Sequence, residues 1–280
     1  MRNHIVLTLG RSGSNTLCDM LNQSAEVLNY GEVLGHWTKM RKLKNKVPFL
    51  WRSDEAFLQW ILTSRLLRGA ANAERNLRKR REGKPGEVKR LGAVHTIGVK
   101  EFSLNFERYG ISERILHRPG MKVIALVRRN VVDRMVSNAR LGATGVVKVG
   151  EGDDRGSRGL TIDPAQIAGL LRAIETENAS LEALIERLPD AAKYVIRYEE
   201  LYRDEATRAG IMHDAFAFLG VTPIHPQTRM RKIITQPITE VIENFDDCLA
   251  AVRGTHHEDL LRAAAHGQEG RQDGGQEGAG

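Results

Sequence analysis

"HIVLTLGRSGSNTL", residues 4–17, sets an apolar run against a glycine, an arginine and a cluster of small hydroxyl and amide side chains. Residues 4–9, short and rich in β-branched and aliphatic side chains, read as a buried strand. A helix from about Ser14 to Asn22 follows, with Leu17, Met20 and Leu21 on one face. A strand that turns through Gly10 and Gly13 into a helix aims backbone N–H groups and the positive end of the helix dipole at one point. That is an anion site. Ser12, Ser14, Asn15 and Thr16 can add side-chain donors, and Arg11 adds a permanent charge with a planar donor fork. The pattern G-x-x-x-x-G-K-[ST] is absent, since no Lys-Ser or Lys-Thr pair closes the loop, and this disfavours a metal-dependent NTPase. An ordinary Gly/Ser turn capping a helix would use the same residues, so the loop needs support from elsewhere in the chain.

Working outward, "TIGVK" (96–100), "MKVIALV" (121–127) and "AKYVIRY" (192–198) read as further strands. Helical patterns occupy 54–80, 103–117, 130–140, 163–188 and 204–219. The long one opens at Asp163 as N-cap with Pro164 in the first helical position, and Ile167, Leu170, Leu171, Ile174, Leu181, Leu184 and Ile185 form its apolar face. Alternation of strand and helix predicts an α/β fold, a single phosphate-loop-like domain over 1–263 with a parallel sheet flanked by helices. Ligands of such sheets bind beyond the carboxyl ends of the strands, where residues 10–16 fall. Three stretches depart from the pattern. Residues 75–90, "RNLRKRREGKPGEVKR", read as a helix end followed by a solvated basic loop. Residues 141–160 are glycine-rich and read as a mobile loop, and 264–280 as a disordered tail.

Composition narrows the function classes. The balance of 42 Lys+Arg against 35 Asp+Glu gives a net +7, which favours anionic partners. Cys18 and Cys248, the two cysteines, lie far apart and without metal-ligand spacing, so a disulfide framework or zinc site is not expected, and a reducing cytoplasm is. "IVLTL" is too short for a signal-peptide core, and no run approaches the roughly 20 apolar residues of a membrane span.

In "KVIALVRRNVVDRMVSNARL" (122–141) a second strand runs into two arginines, and Arg129 and Ser137 lie eight residues apart. A helix beginning near Asn130 would let both face a ligand at the strand end. Two anion-handling elements after two parallel strands suit one ligand with two separated phosphates. Taken together, "GRSGSNTL" resembles the 5′-phosphosulfate loop, and "VRRNVVDRMVS" the 3′-phosphate motif, of sulfotransferases that use 3′-phosphoadenosine 5′-phosphosulfate (PAPS). "NYGEVLG" (29–35), "IGVKEFS" (97–103), "IRYEEL" (196–201) and "ITEVIENFDDCL" (238–249) are similar to the bacterial carbohydrate branch, the trehalose and nodulation-factor type, and the resemblance spans about residues 4–255. Two departures stand out: Arg11 replaces the lysine of the steroid and phenol enzymes, and their glycine-rich C-terminal motif is not visible.

The resemblance implies sulfuryl transfer from PAPS to an acceptor hydroxyl, of a carbohydrate or glycolipid, by in-line displacement with no metal. Gly10, Arg11, Ser12, Gly13, Ser14, Asn15 and Thr16 would hold the 5′-phosphosulfate, and Arg129 and Ser137 the 3′-phosphate. Glu32 matches the branch's base, with His36 the alternative if residues 32–36 are helical, and His95 third. Lys100 would touch sulfuryl or acceptor oxygens, although a lysine at a strand end is commonly a surface charge. Trp37, Trp51 and Trp60 could stack on an acceptor sugar or simply be buried. "RYEEL" suggests a structural Arg197–Glu199 pair, and "TRMRK" (228–232) a basic loop over the nucleotide. Two other classes stay open: a basic nucleic-acid-binding module using "RNLRKRR", without any recognisable nucleic-acid-binding motif, and a nucleotide kinase, which the missing lysine opposes.

Overall fold

Alternation along the strands decides where the core lies. In β1 (Arg2–Thr8) Ile5 and Leu7 enter one apolar cluster and Val6 another, and in β4 (Met121–Val127) Val123, Ala125 and Val127 join the first while Ile124 and Leu126 join the second. A strand buried on both faces belongs inside a parallel sheet. β1 pairs in parallel with β3 (Thr96–Phe102) and β4, β3 with β2 (Val27–Asn29), and β4 with β5 (Lys193–Arg197), giving the order β2-β3-β1-β4-β5. The chain leaves the neighbouring strands β1 and β4 toward opposite edges, which makes their carboxyl ends the switch point where ligands of such sheets sit.

The computed structural model describes residues 1–83, 87–144, 159–228 and 236–269. The helices run α1 (Ser14–Leu21), α2 (Lys39–Lys46), α3 (Asp54–Thr63), α4 (Arg65–Arg81), α5 (Ser103–Arg108), α6 (Ser112–Leu116), α7 (Val131–Thr144), α8 (Ile167–Glu186), α9 (Tyr198–Leu201), α10 (Glu205–Leu219), α11 (Ile238–Val241), α12 (Phe245–Ala251) and α13 (His256–Glu269). Contacts gather them into two compact units, residues 1–127 with 180–228 and residues 128–179 with 229–280. No linker signal marks the crossings in the sequence, which reads as one domain over 1–263. None of the helices among the described residues is long and apolar enough to cross a membrane.

In the first unit, α3, α5, α6 and the end of α8 cover one face of the sheet through Phe57, Ile61, Phe106, Ile115, Leu181 and Leu184. The other face is covered by α1 and α10 through Leu17, Met20, Leu21, Met212, Phe216 and Leu219. Each fully buried side chain of this kind contributes roughly 1.5–3 kcal/mol over leaving it exposed. The second unit has its own core, in which Val132 and Val136 of α7, Ile167 and Leu171 of α8, and Val241, Cys248 and Leu261 meet.

Several sequence expectations shift in detail. The pattern over 54–80 is two helices, because the Ser64 hydroxyl accepts from the Leu67 N–H and caps a new start. Asp163 does cap, accepting from Ala165 N–H at 3.0 Å, but it caps a 3-10 turn at Pro164–Gln166, with α8 following. Leu170 is 38% exposed and so lies outside that helix's apolar face. Residues 141–144 continue α7, and Leu160 is bridged to Ile242, while 145–158 lie outside the described residues. Helix α13 carries residues 264–269, read from sequence as part of the tail, and 270–280 lie outside the described residues.

Candidate functional site

Beyond β1 the backbone takes two left-handed steps, at Arg11 (φ 63) and Gly13 (φ 74). A non-glycine residue there is strained, of order 1 kcal/mol, and such strain gathers at ligand-binding loops. At Gly13 the reason for glycine is also spatial: an added Cβ would lie 2.8 Å from the Tyr198 ring and 2.9 Å from that of Tyr202. The Tyr202 hydroxyl donates to the Gly13 carbonyl at 3.1 Å. Helix α1 begins at Ser14 with no side-chain cap and no acidic residue in its first turn. The Thr16 N–H donates back to the Gly13 carbonyl at 3.0 Å, and Ser12, Ser14 and Thr16 are buried at this helix start. The loop therefore leads into the positive end of the α1 dipole, a geometry that favours an anion.

The turn after β2 holds Glu32, and here three expected residues come together. The Lys100 ammonium, 3% exposed, is ion-paired with the Glu32 carboxylate and donates to Asn15 Oδ1 at 3.2 Å. The Trp37 indole N–H donates to the other Glu32 oxygen at 2.8 Å. Lys100 is thus no snorkelling surface charge. It joins the acid of one turn to the first turn of α1.

Other candidates fall elsewhere. Residues 30–33 are irregular and 34–38 are bend and turn, with α2 starting at Lys39, so His36 does not stand one helical turn above Glu32. It is exposed, its ring edge-on to Trp37 at 4.8 Å. His95 precedes β3, at the amino end of the sheet, and bonds Glu26 at 2.8 Å. A seven-residue strand, roughly 20 Å long, separates that end from the loops. Trp51 and Trp60 pack on one another with ring centroids 4.9 Å apart, and only Trp37 of the three offers an exposed face. Arg197 pairs with Glu200 at 3.3 Å, not with Glu199, because the short helix α9 turns Glu200 back toward it.

The basic stretch at 75–90 is less solvated than its composition suggests. Arg75 donates to the carbonyls of Asn22 and Glu87, Lys79 pairs with Glu82 and Glu87, and the ammonium of buried Lys89 donates to the Val27 carbonyl. Burial, with the charges of Arg75 and Lys79 nearby, pushes the Lys89 pKa down to about 6. Arg75, Lys79 and Lys89 thus staple α4 to the strand region, while Arg78, Arg80 and Arg81 of the same stretch are exposed.

In the second unit, Arg129 is exposed just before α7 and Ser137 is buried in its second turn. Asn130 starts the helix, its side chain accepting from the Asp133 N–H at 2.9 Å. Arg128 pairs with Asp133 at 3.1 Å, and Arg134, 1% exposed, is ion-paired with Glu177 and donates to Asn178 Oδ1 at 2.8 Å. Arg140, buried and three residues beyond Ser137, shares its face of the helix. "ITEVIENFDDCL" clasps residues 160–162: Leu160 and Val241 bond through their backbones at 2.8 Å, and the Asn244 amide spans both the N–H and the carbonyl of Ile162. In "TRMRK" only Thr228 falls within the described residues.

Sequence reasoning missed Glu101. It is fully buried, one oxygen accepting from the N–H groups of Val33 and Leu34 and the other from the Asn105 amide at 3.0 Å. Burial raises its pKa, and the backbone donors pull the other way. It braces the turn that carries Glu32. A second brace starts at fully buried His4. The Asn29 amide donates to His4 Nε2 at 3.1 Å, which leaves the ring proton on Nδ1 to serve Thr96 Oγ1 at 3.0 Å, while Asn29 Oδ1 accepts from Gly31 N–H at 2.9 Å. Burial drives the His4 pKa down to about 3, so the ring is uncharged. Gly98 faces this ring closely enough that a Cβ would sit 2.3 Å from it. The signal for Glu101 lay in "VKEF": two adjacent charges in a strand that should be apolar throughout.

No protein-family model matches the chain, and no curated protein does. Among solved structures it is similar to a sulfotransferase from Alicyclobacillus acidocaldarius, at 17% identity over 95% of this chain and 96% of that one, with a TM-score of 0.47. It is also similar to the sulfotransferase domain of the curacin biosynthetic pathway, at 17% identity over 97% of each chain, TM-score 0.42. A third is the sulfotransferase domain of the Synechococcus PCC 7002 olefin synthase, at 16% identity over 78% of this chain and 73% of that one, TM-score 0.42.

Proposed function

We propose that this chain is a sulfotransferase that moves the sulfuryl group of PAPS to the hydroxyl of a carbohydrate or glycolipid acceptor. The observation that carries the reading is the grouping of Glu32, Lys100 and Asn15 beside the donor-rich start of α1. In the reaction the bond between sulfur and the bridging phosphate oxygen breaks, and a bond forms from the acceptor oxygen to sulfur. The electron pair leaves on the 5′-phosphate oxygen, where Arg11, the loop N–H groups and Lys100 supply positive potential. Glu32 takes the acceptor's proton. The pairing of Glu32 with Lys100 suits both roles: as charge develops on the transferring group, Lys100 is drawn to it and the carboxylate is released to act as base. Arg129 and Ser137 are assigned the 3′-phosphate, and the exposed face of Trp37, bonded to Glu32, a sugar ring of the acceptor.

Thermal unfolding with adenosine 3′,5′-bisphosphate, ATP or short duplex DNA tests the donor assignment. Stabilisation by the bisphosphate alone, unchanged by a chelator, is expected. Stabilisation by ATP with magnesium would instead select a kinase. Arg129→Ala should cost about 1.5–3 kcal/mol of bisphosphate affinity and leave adenosine 5′-phosphosulfate binding nearly unchanged. Equal losses for both ligands would remove Arg129 from the 3′-phosphate.

A further inference from the structure

Residues 37–52, "WTKMRKLKNKVPFLWR", hold six basic residues and no acidic one. Helix α2 divides them by face. Met40 and Val47 pack against the core, and Arg41 and Lys44 turn inward to share Asp54. Lys39, Lys42, Leu43 and Lys46, spaced as one helical stripe, are exposed. Beyond α2 the chain makes a 3-10 turn at Pro48–Leu50 that leaves Phe49 79% and Leu50 58% exposed, followed by exposed Arg52. Trp37, just before the helix, is 48% exposed. Leu43, Phe49 and Leu50, with Lys42, Lys46, Arg52 and Lys39 beside Glu74 at 3.9 Å, therefore share one short surface segment whose inner face is already committed to the core.

We propose that this segment is a docking surface for a bilayer of anionic phospholipid, with α2 lying in the interface and Phe49 and Leu50 entering it. Two features favour this occupant. Apolar side chains at the tip of a turn, rimmed by lysines, match the layering of an anionic membrane surface, where the cations meet headgroups and the apolar tip meets acyl chains. A symmetric pairing of two copies through this patch would instead bring two lysine-rimmed surfaces of like charge together, since a two-fold interface uses the same patch on both copies. The inference does not depend on the proposed reaction, and its test needs no turnover.

The full chain would be sedimented with vesicles of phosphatidylcholine alone and with phosphatidylglycerol as half of the lipid. Partition into the anionic vesicles only, weakening steeply as salt is raised, is expected. Reversing Lys42 and Lys46 to Glu should lower that partition by more than about 25-fold, at about fivefold for each cation lost. Phe49→Ser with Leu50→Ser should lower it by about tenfold or more and abolish the blue shift of tryptophan fluorescence on binding. All four positions are exposed, so the variants should melt where the parent does. Equal partition into both vesicle types, or none into either, overturns the proposal. So does a parent that ignores vesicles but self-associates in sizing experiments through Phe49 and Leu50.

Discussion

Two turns of the first unit follow parallel strands of one sheet, and they are built by opposite means. The turn after β1 is shaped by the backbone: positive φ at Arg11 and Gly13, an uncapped helix start, and tyrosine rings pressed where a Cβ would stand. The turn after β2 is shaped by buried polar side chains, with Glu101 holding Val33 and Leu34, Asn29 holding Gly31, and Lys100 gripping Glu32. A backbone device suits a diffuse anion, whose charge many N–H groups share. A side-chain device suits a group that must change protonation or partner during a reaction, because its environment can be adjusted atom by atom.

The largest expected effect would separate the two turns by role. Glu32→Gln should cut turnover by roughly 10²–10⁴-fold with bisphosphate affinity nearly intact, since the amide keeps the shape but cannot take the proton. His36→Ala provides the comparison, and a larger loss there, measured with a verified acceptor, would move the base to His36. Next, Gly13→Ala should reverse the pattern. Left-handed strain of about 1–3 kcal/mol and overlap with Tyr198 and Tyr202 should appear as a lower Tm together with lost bisphosphate binding. Retained binding at parental affinity would mean that the backbone shape is not what holds the anion.

Glu101→Gln should cost about 1–3 kcal/mol in denaturant unfolding, because an amide nitrogen would face donors where a carboxylate oxygen now accepts. Its turnover should fall while bisphosphate affinity holds, which marks a positioning residue of the second turn. A loss of stability with unchanged turnover per folded molecule would reduce Glu101 to a structural brace. A further effect concerns pH. His4 has its pKa pulled down to about 3 by burial, so between that value and the ordinary 6.5 the unfolded chain binds a proton that the folded chain does not. Stability should therefore rise with pH across that window, by at most about 1.4 kcal/mol per unit for one proton, and this contribution levels off above it. Lys89 extends the rise, from about 6 toward 10.5. Glu101 works against it above 4.5, where the folded chain keeps its proton longer than the unfolded one. Urea titrations of His4→Gln and Lys89→Met should show the slope flatten below 6.5 and above 6 respectively.

The two turns also differ in how far they could be read in advance. β1, its glycines and the amphipathic α1 are consecutive in sequence, so local patterning carries the strand, the turn and the helix start together. Glu32 and Lys100 could be picked from their motifs, but their pairing could not, because 68 residues separate them. Glu101 escaped because alternation along a strand sends neighbouring side chains to opposite sides, so "KE" reads as one charged step while the fold uses each residue separately. Buried cations at Arg75, Lys79 and Lys89 misled composition for a related reason: charge content suggests solvent, and only long-range carbonyl and carboxylate partners make burial possible. The helix that would have put His36 on the face of Glu32 does not form, because the chain makes a turn before Thr38 caps α2.

The tyrosine that bonds Gly13 follows it by 189 residues. During synthesis the nascent chain therefore emerges with its phosphate-type loop long before β5, α9 and the walls they bring exist. The loop's left-handed backbone, unfavourable by itself, lacks the Tyr202 bond and the walls of Tyr198 and Tyr202 until that late segment docks. A ribosome-stalled chain released before residue 198 should accordingly be unable to retain nucleotide, and one extended past α10 should begin to.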